Sequence, residues 1–291
     1  MREVTFAVTQ FAADAERDRN LDTAEALVRE AAGQGAQVIL LQELFADPYF
    51  CKTQNPVYFD LAAPREGHPV LARFADLARE LGVVLPLSFF ERAGQAYFNS
   101  LAMIDADGSE LGIYRKSHIP QGPGYEEKYY FSGGNTGFRV WETAFGSLGV
   151  GICWDQWFPE AARAMALMGA EALLYPTAIG SEPDMPDYDS QPHWETVMRG
   201  HAAGNIMPVM ASNRVGAEAQ DNRSVTFYGT SFIAGETGQM IGQAGRAERA
   251  ITLAKIDLEK AAELRRSWGL FRDRRADLYG ALRGLDGATV S

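Results

Sequence analysis

One cysteine, Cys153, lies where an apolar segment ends and a helix is expected to begin. It follows the alternating apolar segment 148–152 and precedes Pro159, a residue that suits the first turn of a helix. The N–H groups and dipole at a helix start favour a thiolate, which is the nucleophilic form of cysteine. The position also allows an ordinary interpretation, in which Cys153 is an inert buried thiol packed like a small apolar residue.

Glu43 and Lys116 also follow apolar segments, at 36–41 and 111–115. Polar side chains at the carboxyl ends of strands can meet at one edge of a sheet, so both residues are candidates for the same site as Cys153. There the acid would take the thiol proton, the thiolate would attack, and the ammonium would hold the oxyanion. The alternatives are a structural ion pair or surface acid for Glu43 and a solvated side chain for Lys116.

The predicted strands and helices that must position these residues indicate an α/β protein. An apolar stripe predicts a helix capped by Asn20, and a second amphipathic helix is predicted over 68–81. Pro86 lies inside a predicted strand and indicates a bulge or an interrupted ladder, and one strand is predicted over 225–234. Alternating elements followed by hairpins favour mixed sheets with outer helices. We expect a single domain over 1–291.

Composition limits the classes of partner and cofactor. The 291 residues have a net charge of −11, which disfavours nucleic acid and anionic membranes. Two cysteines form no disulfide framework, and no signal peptide or membrane-spanning run is recognised, so we expect a cytoplasmic protein. The four histidines show no metal-ligand spacing, so no bound metal is expected.

Three motifs together resemble the nitrilase-like carbon–nitrogen hydrolases. They are Gln42-Glu43-Leu44-Phe45, Tyr114-Arg115-Lys116-Ser117-His118, and Gly151-Ile152-Cys153-Trp154-Asp155 followed by Phe158-Pro159-Glu160. Each motif alone is weak, but all three in this order and at this spacing are highly specific, and the resemblance extends from Val4 to about Asp273. It implies a four-layer αββα sandwich of two mixed β-sheets with outer helices, and no cofactor.

The resemblance also implies roles for individual residues. Glu43 corresponds to the general base and acid, Lys116 to the group that stabilises the intermediate, and Cys153 to the nucleophile. A second glutamate near this triad is common in the family and matches Glu127, with Glu126 one residue away as its rival. A second acid beside Lys116 would keep the lysine charged and oriented.

Within the family, the segments 117–125, 175–183 and 211–214 look most like the enzymes that split N-carbamoylputrescine into putrescine, carbon dioxide and ammonia. The resemblance therefore implies a small cationic carbamoyl amine as substrate and a homo-oligomer built from dimers. Relatives that hydrolyse N-carbamoyl amino acids carry arginines just after the Cys-x-Asp segment. This chain has Gln156 and Trp157 there, which favours a cationic over an anionic substrate end.

A loop over 180–191 supplies acids for that cationic end. Glu182 lies nearest the preceding strand and is our candidate for binding the terminal amine, although loop acids are often merely solvated. The aromatic residues that could wall the pocket, each of which also suits core packing, are Tyr49, Tyr125, Tyr130 and Trp154.

Three other functions remain open from the sequence. A related hydrolase acting on a β-ureido acid or ω-amide would need a carboxylate-binding arginine, for which the candidates are Arg199, Arg214 and Arg223. A non-catalytic binding protein would not need all three triad residues. A thiol redox protein would need a resolving cysteine, and Cys51 is the sole candidate because the sequence contains no Cys-x-x-Cys motif.

Overall fold

The structure is a computed structural model that describes residues 1–288. Its strands are β1 (Glu3–Gln10), β2 (Val38–Leu40), β3 (Leu85–Ala93), β4 (Ala96–Ile104), β5 (Glu110–Arg115), β6 (Val140–Thr143), β7 (Gly146–Val150), β8 (Ala172–Pro176), β9 (Val209–Ser212), β10 (Val215–Gln220), β11 (Arg223–Tyr228), β12 (Phe232–Ala234), β13 (Met240–Gln243) and β14 (Ala250–Asp257). Its α-helices are α1 (Arg17–Gly33), α2 (Pro69–Leu81), α3 (Glu127–Tyr130), α4 (Pro159–Leu167), α5 (Gln191–Asn205) and α6 (Leu258–Trp268).

Two three-stranded sheets, β14-β1-β2 and β3-β4-β5, meet at a short parallel bridge between Val38 and Val84. There Val84 N donates to Gln37 O at 2.8 Å, and Ile39 N donates to Val84 O at 3.0 Å. The next donor in such a ladder would be the N–H of residue 86, which proline lacks. The predicted interruption at Pro86 is therefore confirmed. No bulge accompanies it, since Pro86 keeps a continuous register with β4.

A second, six-stranded sheet has the order β13-β12-β9-β8-β7-β6, with β7, β8 and β9 parallel and the outer strands antiparallel. The prediction of one strand over 225–234 is wrong. The chain leaves β11, which forms a separate two-stranded sheet with β10, and enters β12 through Gly229 and Thr230, whose φ angles of 56° and 55° are incompatible with a continuous strand.

Helix α1 buries the predicted apolar stripe, but its predicted start is wrong. The helix begins at Arg17, so Asn20 lies inside its first turn rather than at its cap. The buried Asn20 side chain instead accepts from Asp14 N at 2.7 Å and donates to Ala46 O at 3.2 Å. Asn20 therefore connects the segment that precedes α1 with the loop that follows β2.

Three clusters of buried apolar side chains lie between these elements. In the first, Leu27 of α1 and Phe74 of α2 pack on the two three-stranded sheets. In the second, residues of these two sheets, such as Phe6, pack directly on residues of the six-stranded sheet, such as Leu174. In the third, Trp194 of α5 and residues of α4 pack on the opposite face of the six-stranded sheet. The predicted α/β class with mixed sheets and helices is confirmed. In residues 1–288, no helix combines the length and apolar character needed to cross a membrane.

Candidate active site

The structure brings Glu43, Lys116 and Glu127 together as a buried group. Lys116 Nζ lies 2.9 Å from Glu43 Oε1 and 2.7 Å from Glu127 Oε2, and all three residues are at most 1% exposed. Glu43 follows β2, Lys116 follows β5 and Glu127 begins α3. Asn99 of β4 joins the first two, because its backbone O accepts from Lys116 N and its Nδ2 donates to Glu43 Oε1 at 2.6 Å.

The side chains of Glu126 and Glu127 point in different directions. Glu127 contacts Lys116, whereas the Glu126 carboxylate accepts hydrogen bonds from Gln54 and Gln121 toward the surface. Glu43 has one further feature of chemical interest. Its Oε2 is buried and has no hydrogen-bond partner among the described residues, so this oxygen is available to accept a proton.

Cys153 opens a 3₁₀ turn, Cys153–Trp157, rather than ending a strand beside a helix as the sequence predicted. Strand β7 ends at Val150, and α4 begins at Pro159 after the turn. Cys153 has a φ of 41°, a left-handed conformation that a non-glycine residue adopts only when its surroundings enforce it. Its Sγ lies 3.7 Å from Ala178 O.

A buried aspartate, Asp155, connects the Cys153 turn to the Lys116 segment. Its Oδ2 accepts from Ile152 N at 2.9 Å and from the Tyr114 hydroxyl at 2.7 Å. Its Oδ1 accepts from His118 N at 3.0 Å and lies 2.7 Å from His118 Nδ1. Sequence reasoning assigned this residue no role, although it stands in the Cys-x-Asp segment of the third motif. The carboxylate fixes the distance between the two segments that bear the candidate nucleophile and the lysine.

Burial and neighbouring charges set the protonation states of the group. Burial raises the pKa of Cys153 well above its usual value, and Glu43 adds to the rise while Lys116 opposes it. The resting group is therefore a thiol, contrary to the thiolate expected from a helix start, and it needs a base. Burial disfavours the charged form of Lys116, but Glu127 and Glu43 more than compensate and raise its pKa well above the usual range. Burial raises the pKa of Glu127 to about 7 against the opposing effect of Lys116.

A cavity of about 430 Å³ opens onto Cys153 and Glu127. Its lining includes three of the predicted substrate-binding residues, Tyr125, Trp154 and Glu182, and contains no lysine or arginine among the described residues. Within residues 1–288, no group of three or more histidine, cysteine or acidic side chains is arranged to hold a metal ion. The lining thus combines several aromatic side chains with the acids Glu127 and Glu182.

The other two tyrosines predicted to wall the pocket lie outside the cavity lining. Tyr49 is fully buried, and its hydroxyl donates to Glu127 Oε1 at 2.8 Å. The Tyr130 hydroxyl donates to Thr53 O at 2.6 Å within an aromatic cluster. Both residues therefore contribute to the support of the site rather than to the surface that a substrate would contact.

The arginines proposed to bind a substrate carboxylate also lie outside this lining. Arg214 is buried among backbone carbonyls and Glu218, Arg199 pairs with Glu195, and Arg223 pairs with Asp184. Each guanidinium is thus already committed to a protein carboxylate.

Three acids of the 180–191 loop fall into two classes. Asp184 and Asp189 form surface ion pairs with Arg223 and Arg246, at 3.0 and 2.6 Å. Glu182 lines the cavity and has no salt-bridge partner among the described residues. Partial burial raises the pKa of Glu182, an effect that a bound cation would offset. Of these three acids, Glu182 is the one placed to meet a ligand.

Comparison with known proteins agrees with this geometry. The carbon–nitrogen hydrolase family model matches residues 5–266. The N-carbamoylputrescine amidase of Solanum lycopersicum is 56% identical over 291 residues, covering 99% of this chain and 97% of the relative. The citrullinase of Francisella tularensis is 54% identical over 279 residues, covering 96% and 98%. A solved carbon–nitrogen hydrolase from Helicobacter pylori G27 is 40% identical with a TM-score of 0.91, covering 97% of this chain and 99% of that one. The chain belongs to the carbon–nitrogen hydrolase family.

Proposed function

We propose that the protein hydrolyses N-carbamoylputrescine to putrescine, carbon dioxide and ammonia through a thioester on Cys153. The observation that supports this most directly is the buried Glu43–Lys116–Glu127 group beneath a cavity that contains both Cys153 and the unpaired Glu182. The 56% identity to an N-carbamoylputrescine amidase supports the substrate. Hydrolysis of this compound is a step in putrescine, and hence polyamine, formation.

In the first half of the proposed reaction, Glu43 takes the proton of the Cys153 thiol, for which its unpartnered Oε2 is suited. The sulfur attacks the carbamoyl carbon, and the carbonyl oxygen becomes an oxyanion. The Lys116 ammonium and a backbone N–H after Cys153 stabilise this charge. Because the buried site excludes water, the interaction of the ammonium with the oxyanion is stronger than it would be in solution.

Collapse of the intermediate breaks one C–N bond and leaves an acyl thioester. Glu43 returns its proton to the departing nitrogen, then takes a proton from the water that attacks the thioester. If putrescine leaves first, the released carbamic acid decomposes to carbon dioxide and ammonia. If ammonia leaves first, the released N-carboxyputrescine decomposes to carbon dioxide and putrescine. Both orders give the same three products.

We assign recognition of the free amine to Glu182. A carboxylate without a protein cation in a partly desolvated cavity is stabilised by an alkylammonium ion and destabilised by a second carboxylate. Tyr125 and Trp154 line the same cavity and supply apolar surface for the four-carbon chain. The absence of a cation from the described lining argues against substrates that end in a carboxylate alone.

A second candidate is hydrolysis of the ureido group of citrulline, which the 54% identity to the Francisella citrullinase favours. Citrulline carries both an ammonium and a carboxylate at the end remote from the ureido group. Glu182 suits the first charge, but the described lining offers no arginine or lysine for the second. We therefore rank citrulline below N-carbamoylputrescine.

The finer architecture implied by the family resemblance belongs to the same proposal. We propose a four-layer αββα sandwich in one domain over 1–291, assembled as a cytoplasmic homo-oligomer built from dimers. The three apolar clusters, one between the sheets and one under each pair of helices, support the layer order. The near-complete coverage of the tomato relative supports the single domain.

Ammonia release from a panel of N-carbamoylputrescine, N-carbamoyl-β-alanine and L-citrulline tests the proposal. We expect the highest kcat/KM for N-carbamoylputrescine with the unmodified enzyme, and no release by the Cys153→Ala variant. Preference for N-carbamoyl-β-alanine would contradict the assignment of a cationic substrate. Preference for citrulline would select the second candidate.

A further inference from the structure

A second buried ionic cluster, formed by Lys52, Arg214 and Glu218, lies behind the candidate active site. These three residues are at most 8% exposed. Glu218 Oε1 lies 3.1 Å from Arg214 Nη1, and Glu218 Oε2 lies 3.3 Å from Lys52 Nζ. None of the three lines the cavity, so the chemistry proposed above does not use them. Burying three charges is costly unless each is paired and hydrogen-bonded, and the hydrogen bonds of this cluster extend to two segments of the candidate site.

One side of the cluster holds the backbone that bears Glu43. Arg214 Nη2 donates to Glu43 O at 3.0 Å, to Leu44 O and to Asp47 O at 3.0 Å. These carbonyls lie beyond the end of β2, where Leu44 has a φ of 48°. The amides of this segment have other partners, since Glu43 N donates to Thr177 O at 3.3 Å and Leu44 N donates to Ser88 Oγ at 3.0 Å. The Arg214 guanidinium supplies donors to the carbonyls and so helps to fix the segment.

The other side of the cluster reaches Glu127 through Tyr49. Tyr49 N donates to Glu218 Oε2 at 2.6 Å, and Lys52 Nζ donates to Tyr49 O. The hydroxyl of the same tyrosine donates to Glu127 Oε1 at 2.8 Å. One buried cluster thus contacts the backbone of Glu43 and, through Tyr49, the carboxylate of Glu127.

The burial pattern of strand β10 favours the contact of Glu218 with Arg214 and Lys52. Its Glu218 and Gln220 are buried and alternate with the exposed Ala217 and Ala219, so its polar face points inward. Gln220 Nε2 donates to Phe50 O at 3.0 Å, which adds a further bond to the same loop. A strand that buries its polar face and exposes alanines does not serve packing alone, because such burial gains little apolar contact.

We propose that Tyr49, Arg214 and Glu218 are positioning residues that set the placement of Glu43 and Glu127 around Lys116. This proposal rests on the proposed function, because one of its tests measures the hydrolytic activity. It also reassigns Tyr49, which acts through Glu127 and does not contact substrate.

Removal of the Tyr49 hydroxyl has a defined electrostatic consequence. The bond from Tyr49 lowers the pKa of Glu127, although burial still raises this pKa to about 7 with the bond in place. Without this donor, Glu127 binds its proton at higher pH, and the neutral acid holds Lys116 less firmly. The effect therefore appears in kcat and in the acid limb of the pH profile, and not in substrate affinity.

The test compares Tyr49→Phe with Tyr58→Phe, a matched control from the same aromatic cluster whose hydroxyl bonds neither glutamate. For Tyr49→Phe we expect kcat to fall about 10- to 100-fold, the loss typical of a hydrogen bond to a charged group. We expect KM to change less than about threefold and the acid limb to move to higher pH. Glu218→Gln, which keeps the side-chain size, should move kcat and the acid limb in the same direction.

A substrate-free measurement separates this proposal from the proposed function. The rate at which iodoacetamide alkylates Cys153 is measured against pH, with Cys51→Ala as the background. We expect an inflection near pH 7 that Tyr49→Phe moves upward and Tyr58→Phe leaves in place. If the wild-type enzyme does not hydrolyse N-carbamoylputrescine, the proposed function is wrong. The pH profile of Cys153 alkylation still tests whether Tyr49 positions Glu127. A Tyr49→Phe enzyme with unchanged kcat and inflection, or with a raised KM alone, would overturn the proposal.

Discussion

Replacement of Glu182 by glutamine tests how the cavity recognises its substrate. The change keeps the size of the side chain and removes its charge. A charge-assisted hydrogen bond contributes about 1.5–3 kcal/mol, and because Glu182 is only partly buried, solvent screening reduces the expected contribution to about 1–2 kcal/mol. This loss corresponds to a decrease of about 5- to 30-fold in kcat/KM for N-carbamoylputrescine, expressed mainly as a higher KM.

The assay measures ammonia release from N-carbamoylputrescine and from N-carbamoylbutylamine, which has the same carbon chain without the charge. The neutral compound should be almost unaffected by Glu182→Gln. Asp184→Asn is the matched control, because Asp184 belongs to the same loop but pairs with Arg223 at the surface. Equal losses on both compounds would mean that Glu182 supports the fold or the reacting group. No loss on either would refute the ammonium site.

The same reasoning predicts the preference of the unmodified enzyme between differently charged substrates. N-carbamoylputrescine should exceed N-carbamoyl-β-alanine at least about a hundredfold in kcat/KM, which corresponds to about 2.7 kcal/mol. Attraction of the ammonium and repulsion of the carboxylate by Glu182 together supply this difference. In Glu182→Gln the ratio should shrink. A ratio that survives the substitution would place the selectivity elsewhere in the cavity.

Three further outcomes are expected. Cys153→Ala and Cys153→Ser should remain folded by circular dichroism and lose more than about a thousandfold in kcat, whereas Cys51→Ala keeps most activity; an active Cys153→Ala enzyme would disprove the nucleophile. Because Glu127 has a pKa of about 7 and must be ionised to hold Lys116, kcat/KM should fall as the pH drops below about 7, and a profile that stays flat to pH 5.5 would contradict this role. Prolonged chelation should leave the rate unchanged, and a loss that one divalent ion restores would contradict the cysteine mechanism.

The sequence predicted that Glu43 and Lys116 lie together because each follows an apolar segment that ends at a sheet edge. The structure places Lys116 Nζ 2.9 Å from Glu43 Oε1, and the catalytic roles of the two residues remain part of the proposal. Which acid of the 180–191 loop faces the cavity was harder to predict from the sequence. Ion pairs distinguish the surface acids Asp184 and Asp189 from Glu182, and each joins residues far apart in the sequence, 39 positions for Asp184 with Arg223 and 57 for Asp189 with Arg246.

What the sequence did not predict are contacts between distant positions. Periodicity indicates which face of an element is buried, but not what it is buried against. Tyr49 meets Glu127 across 78 positions, and Arg214 meets the Glu43 carbonyl across 171. The sequence therefore offered Tyr49 as a pocket wall or a core residue, and Arg214 as one of three candidate carboxylate ligands for an alternative function. The 3₁₀ turn at Cys153 was not predicted for another reason. A single turn is too short to produce a recognisable periodicity of apolar residues in the sequence.

The pairing of β1 with β14 has a consequence for the order of events during synthesis. Eight residue pairs join these strands, whereas β1 and β2 share only three. Until residues 250–257 leave the ribosome, one edge of β1 has no partner and is open to non-native pairing. The hairpins β3-β4-β5 can pair as soon as they emerge. We therefore expect ribosome-stalled chains that end before residue 250 to protect β4 from proteases but not β1. The strand that leads to Lys116 would then be in place early, and the segment that bears Glu43 would settle only when β14 arrives.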